Sequence, residues 1–238
     1  MSGIVGNNIV RNGLVLNLDA ADRKSYPGSG TTWFDRSGNK NNGTLTNGPT
    51  FDSANGGSIV FDGTNDYVSF NVKLFTEQKF SLGFWINVNT FTGVNCSGAV
   101  ANSRYTIFGT TANYQGYTNT FSTCIQTSAG SNAIGTVQQS NFLTNTWYYY
   151  FTVYDGSLTG NSNRLKLWLN NIQYSLVYDA TVPSTPYNNN TSITIGYGPT
   201  ANMPYFNGEI ANVVYYNRAL SVSEISQNFN ANRKRFNI

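Results

Sequence analysis

Hydrophobic and polar residues alternate with a period of two through most of the chain. In 80–88, Phe80, Leu82, Phe84, Ile86 and Val88 fall on one side and Ser81, Gly83, Trp85 and Asn87 on the other. Side chains of a strand point alternately to its two faces, so this pattern predicts a strand with one strongly apolar face. The same signal predicts strands at 13–18, 58–61, 66–70, 147–156, 164–171, 192–196 and 207–217, with weaker ones at 105–109, 121–126 and 133–139. The DGTN between 58–61 and 66–70 reads as the turn of a hairpin or of a bent pair. One helical pattern stands out near the end. Ser221 and Glu224 make the S-x-x-E signature of a capping box, and Val222, Ile225 and Phe229 follow at helical spacing.

Composition agrees with an all-β reading. The 238 residues include 16 Tyr, 15 Phe and 23 Gly but only three Glu (Glu77, Glu209 and Glu224), and aromatic residues suit pleated, half-buried surfaces. The 35 asparagines mark tight connections, because Asn tolerates left-handed backbone. Segment 92–145 is the most polar and irregular third, where long loops would place a variable surface. Nothing in the chain repeats at a fixed period or reads as a linker, so a single domain is expected.

A net charge of +3, with 11% charged residues, is too weak a field to imply nucleic acid. The one basic cluster, NRKRF at 232–236, reads as a solvated tail or a contact to an acidic partner. No stretch approaches the roughly 18 uninterrupted apolar residues of a membrane span, so no membrane insertion is expected. Nor does the chain open on a charged and then apolar leader, and synthesis in the cytoplasm is the expectation.

The absence of histidine excludes a Ser-His-Asp arrangement and, with only two cysteines, leaves no zinc set. Cys96 and Cys124 are compatible with a disulfide or with two free thiols. The stretch FDRSGNKNNGTLTNGPTF, 34–51, places Asp35, Ser37, Asn39 and Asn41 at every second position, as the first half of a calcium loop would. The sixth position from Asp35 is Lys40, where such a loop needs Gly, and the twelfth is Thr46, where it needs Glu. Side-chain turns folding a connection between strands are the stronger reading.

Several pieces together resemble a known family. GLVLNLDAADRKSYPGSGTTWFDRSGNKNNGTLTNGPTF is followed by SIVFDGTNDYVSF, FSLGFWINV and NGEIANVVYYNRALSVSEISQNF. This succession resembles the laminin-G-like branch of the concanavalin A-like lectin/glucanase superfamily. The resemblance implies a jelly-roll sandwich of two antiparallel sheets with one short C-terminal helix. It divides the chain into an N-terminal arm (1–12), the sandwich (13–232) and a basic tail (233–238).

Retaining glucanases of the superfamily carry an E-x-D-x-E strand that sets two carboxylates about 5 Å apart. No such triplet occurs here, so an enzyme is not expected. Calcium sites in laminin-G-like relatives make Asp62, Asn65 and Asp66 a second candidate cluster beside Asp35, Asn39 and Asn41. No cofactor is required, and structural calcium is the one ion the resemblance suggests. Sugar binding calls for aromatic faces with amides nearby. Tyr105, Tyr114, Tyr117, Tyr197 and Tyr205 lie in or beside expected loops, and Trp168, like Trp85, lies opposite its strand's apolar face; packing is the stronger reading for Trp85. The opening LVLNLDAADRKSYPGSGTTW looks like the version carried by structural proteins of tailed phages. That implies a virion protein, on capsid or tail, with other virion proteins and copies of itself as partners and host surface glycans as a further one. A carbohydrate-binding adhesin is the alternative.

Overall fold

The computed structural model describes residues 8–91, 97–102, 105–128, 131–187, 192–197 and 205–238, with backbone alone for 97–102 and 105–111. In chain order the strands are β1 (Leu14–Asp19), β2 (Thr32–Trp33), β3 (Gly43–Thr46), β4 (Thr50–Asp52), β5 (Ser58–Asp62), β6 (Tyr67–Ser69), β7 (Lys79–Val88), β8 (Ser97–Asn102) and β9 (Tyr105–Tyr114). They continue as β10 (Tyr117–Ser128), β11 (Ser131–Val137), β12 (Trp147–Asp155), β13 (Leu165–Leu169), β14 (Ile172–Tyr174), β15 (Leu176–Tyr178), β16 (Ile193–Ile195) and β17 (Asn207–Tyr216). A helical turn, α1 (Asn161–Arg164), precedes β13, and α2 (Val222–Asn232) follows β17. No helix among the described residues is long and apolar enough to cross a membrane.

Two antiparallel sheets form a jelly-roll-type sandwich. One runs β14-β13-β12-β7-β17-β5-β4, with β1 also on β17; the other runs β15-β11-β10-β9-β8-β16-β6-β3-β2. β5 and β6 therefore do not form a hairpin: they belong to different sheets, and the 62–66 turn is a corner carrying the chain across one end of the sandwich.

The alternation in β7 has the expected consequence. Phe80, Leu82, Phe84, Ile86 and Val88 all enter the core between the sheets. Phe84 stacks on Tyr150 across the β7–β12 pair, with ring centroids 4.7 Å apart at 14°. Opposite Phe151 the strand has Gly83, where a Cβ would lie 2.3 Å from the Phe151 ring. Only a residue without a side chain lets that ring lie across the strand.

A second core covers the outer face of the first sheet. Trp85 is fully buried between Phe229 (5.7 Å, 19°) and Phe236 (4.2 Å, 15°). Trp168 lies in the same cluster at 3% exposure, so it is unavailable to stack on a sugar, contrary to the sequence expectation. The alternation showed which face Trp168 is on but not that α2 would cover it. The capping box of α2 forms as expected, with Ser221 and Glu224 bonding reciprocally. Val222 is 59% exposed, so the buried stripe is Ile225, Asn228 and Phe229 instead.

The flanking segments are part of this layer. The Val10 N–H donates to Asn228 Oδ1 (2.8 Å) and its carbonyl accepts from the Tyr216 hydroxyl (3.0 Å). Residues 233–236 form a 3-10 turn in which Arg233 and Lys234 stay exposed. Phe236 is buried, and Arg235 pairs with Asp19 at 2.9 Å while donating to the Asn55 and Gly57 carbonyls.

Candidate functional site

The end of the sandwich turned by the 62–66 corner gathers aromatic and polar groups from four places in the chain. Tyr197 follows β16 and Tyr205 precedes β17; their rings stack at 4.4 Å and 13°. Tyr67, the first residue of β6, tilts against Tyr197 at 5.8 Å. All three rings are half-buried, so each is fixed by packing yet reachable. Burial, and then the neighbouring Tyr197, raise the Tyr205 hydroxyl above the ordinary tyrosine range, so it stays a neutral donor.

Backbone geometry holds these pieces together. Gly196 has φ +88°, and a Cβ there would lie 2.7 Å from the Phe61 ring and 3.0 Å from the Asp66 carbonyl oxygen. Glycine thus lets the chain pass directly over the corner before delivering Tyr197. The Phe206 N–H returns to the Gly196 carbonyl (2.9 Å), fixing Tyr205 beside Tyr197.

The corner is built on its own hydrogen bonds. The Thr64 N–H donates to Asp62 Oδ1 (2.7 Å), the Asp62 N–H to Asp66 Oδ2 (3.1 Å), and Asn207 Nδ2 to the Asp62 carbonyl (3.2 Å). Asn47 Nδ2 ties the adjacent turn to the Asn65 carbonyl. Asp66 is buried, and its carboxyl is raised above the ordinary range by desolvation, reinforced by the Asp62 charge. Asp62, Thr64 and Asn65 stay exposed beside the tyrosines. The structure therefore unites Tyr197 and Tyr205 with the Asp62–Asp66 turn and adds Tyr67, which the sequence pattern places only within the strand expected at 66–70.

In residues 35–41 the Asp35 carboxylate and the Asn39 and Asn41 amide nitrogens are engaged within the protein. The Asp35 carboxylate accepts from the backbone N–H groups of Asn17 (2.9 Å), Ser37 (2.8 Å) and Asn41 (3.0 Å) and from the Ser37 hydroxyl (2.7 Å). Asn39 and Asn41 aim their amide nitrogens at the Val15 carbonyl, at 3.1 and 3.0 Å. Calcium is held by six to eight oxygens, whereas here the amides act as donors and the loop is clamped to β1. Among the described residues no three acidic or cysteine side chains come together, and at the corner Asp62 and Asp66 have no third such partner.

The other candidates lie apart. Tyr114 and Tyr117 face each other at the β9–β10 turn and make no ring contact with the trio among the described residues. The Tyr114 hydroxyl donates to Asp179 Oδ2 (2.7 Å), and burial together with that carboxylate pushes it up to about 12. Cys124 is buried on β10; Cys96 and the Tyr105 side chain lie outside the described residues. Each glutamate is engaged in the scaffold: Glu77 accepts from the Tyr215 hydroxyl, Glu209 from Ser58, and Glu224 pairs with Arg218.

The architecture is that of a lectin-like β-sandwich. Residues 62–226 match the laminin-G-type family described as the concanavalin A-like lectin/glucanases superfamily, and the chain belongs to it. No curated protein matches the chain in sequence. Among solved structures, domain 4 of the extracellular arabinanase AbnA from Geobacillus stearothermophilus, in complex with arabinotriose, is similar with a TM-score of 0.57 at 16% identity, covering 90% of this chain and 96% of that one. The Trypanosoma rangeli sialidase is similar with a TM-score of 0.59 at 16% identity over 94% of this chain, which spans 33% of the sialidase. The binding domain of Paraclostridial Mosquitocidal Protein 1 is similar with a TM-score of 0.61 at 16% identity over 92% of this chain and 52% of that one. At such identities the likeness establishes the fold, while function is read from the site.

Proposed function

We propose that this chain is a non-enzymatic glycan-binding module whose site is the rim formed by Tyr67, Tyr197 and Tyr205 with the exposed Asp62 and Asn65. The observation that carries this reading is the stacked Tyr197–Tyr205 pair beside exposed polar groups. Aromatic faces fit the apolar side of a sugar ring, and carboxylate and amide groups match its hydroxyls. That one structural neighbour is described in complex with arabinotriose and another as a toxin's binding domain is in keeping with it. The engagement of all three glutamates supports a binding rather than a hydrolytic role. Binding through the rim does not require calcium.

The finer reading is that the module is displayed on a phage particle, where it attaches to host surface polysaccharide. It rests on the resemblance of 14–33 to tailed-phage structural proteins. Display in several symmetric copies would turn weak single-site binding into useful avidity. The test is a glycan array that includes bacterial surface polysaccharides, read in calcium and in chelator. The expected result is selective binding unchanged by chelation and lost in the Tyr197→Ala/Tyr205→Ala variant. Binding retained by that variant would remove the rim as the site.

A further inference from the structure

A second, chemically different pocket lies on the outer face of the first sheet, between residues 8–11, β1 and the end of α2. Its volume is about 400 Å³. We propose that it binds one acidic sugar residue, a hydroxyl-rich monocarboxylate of the uronic acid class. It is separate from the tyrosine rim and does not depend on that site binding glycans.

The floor is formed by two buried asparagines, Asn212 (3% exposed) and Asn17 (9% exposed). Asn212 reaches the pocket because β17 carries a bulge between Ile210 and Asn212. Ile210 and Val213 both enter the inner core and Ala211 the outer one, so the extra residue turns Asn212 outward as well. Its Oδ1 accepts from the Trp85 N–H (3.2 Å), while its Nδ2 has no partner among the described residues. Asn17 uses both backbone groups, the N–H to Asp35 and the carbonyl from Arg36, yet its side-chain amide has no partner among the described residues. The two side chains line the same cavity, where their amides leave donors and an acceptor for vicinal hydroxyls.

Charge at the mouth selects a monoanion. Asp19 is neutralised by Arg235 (2.9 Å) and Asp22 by Arg36 (3.3 Å). The exposed Arg11 lines the same pocket and has no ion pair among the described residues, leaving one uncompensated positive charge. A phosphate dianion would be under-neutralised. With no aromatic side chain in the lining, a nucleobase has nothing to stack on. The volume lies near the lower end of the roughly 300–1,000 Å³ of small-molecule sites, which suits one sugar ring rather than a chain.

The experiment uses the whole chain and ligand-observed NMR titrations with glucuronate, glucose and inorganic phosphate. Glucuronate is expected to bind at least about tenfold more tightly than glucose or phosphate. Arg11→Ala, an exposed change, is expected to erase the preference over glucose. Asn17→Leu is expected to abolish glucuronate binding by filling the floor, while both backbone bonds of residue 17 survive. A thermal melt confirms that each variant is folded. The Tyr197→Ala/Tyr205→Ala variant is expected to bind glucuronate normally, which separates this site from the rim. Equal affinity for glucose and glucuronate, tighter phosphate binding, no glucuronate binding, or unchanged affinity in Arg11→Ala would each overturn the proposal.

Discussion

Two carboxylates show how residue environment decides the sign of a pH effect. Glu224 caps α2 and accepts two bonds from Arg218, which, with the cap, holds its carboxyl down at about 2 against an ordinary 4.5. A group with a lowered folded pKa contributes stability that is complete above its unfolded value and lost as pH falls toward the folded one. Glu224→Gln is therefore expected to cost about 1 kcal/mol at neutral pH. The difference from the parent should shrink as pH drops from 4.5 toward 2, read by denaturant unfolding at each pH. Asp66 behaves oppositely: desolvation and the Asp62 charge raise its pKa above the usual 3.8. The folded state then holds the proton more tightly than the unfolded chain, so stability falls as pH rises through 3.8 and beyond. Asp66→Asn keeps an acceptor for the Asp62 N–H and removes the buried charge. It is expected to match or exceed the parent's stability at pH 7 and to lose any advantage below pH 3.8; a clear loss at pH 7 would mean that the Asp66 charge is itself stabilising.

At the scale of elements, local pattern reveals a strand and its faces but not what covers each face. β7 was readable because it alternates, β17 because Val213, Val214, Tyr215 and Tyr216 are strand-forming residues, and α2 because Ser221 and Glu224 announce its start. The sequence could not show that the second face of β7 would also be buried. Trp85 and Trp168 sat opposite the main apolar faces, a position equally open to a sugar or a helix, and the helix that covers them lies over fifty residues further on. Tyr67 was missed for a related reason. Nothing between 67 and 197 signals that the two rings meet, because only the pairing of β6 with β16 brings them together. Asparagine was the informative local residue: of eleven non-glycine positions with positive φ among the described residues, eight are Asn. The helix's hold on the sheet gives a prediction of its own. Phe229 contacts both Trp85 and Tyr149, so Phe229→Ala opens a cavity in the outer core. It is expected to cost about 3–5 kcal/mol and to red-shift tryptophan emission, measured by denaturant titration.

The whole molecule separates the parts that hold it together from the parts available to bind. The inner core joins the sheets, the outer core joins the first sheet to α2 and both flanking segments, and the tyrosine rim belongs to neither cluster. Tyr197 and Tyr205 gain their order from one another and from the Gly196–Phe206 bond, which uses backbone alone. Removing their rings should leave that bond and both cores in place. Phe236, far along the chain on the outer face, is in contrast packed against Trp85 and Trp147. These placements predict a double dissociation. Tyr197→Ala/Tyr205→Ala should unfold within about 1 kcal/mol of the parent, as surface changes usually do, while losing glycan binding. Phe236→Ala should lose about 3–5 kcal/mol and still bind glycan normally below its melting transition. Thermal unfolding and the glycan array, run on the same two preparations, check both halves. If stability and binding fell together in the tyrosine variant, the rim would be part of the structural framework, and binding would have to be sought elsewhere on the sandwich.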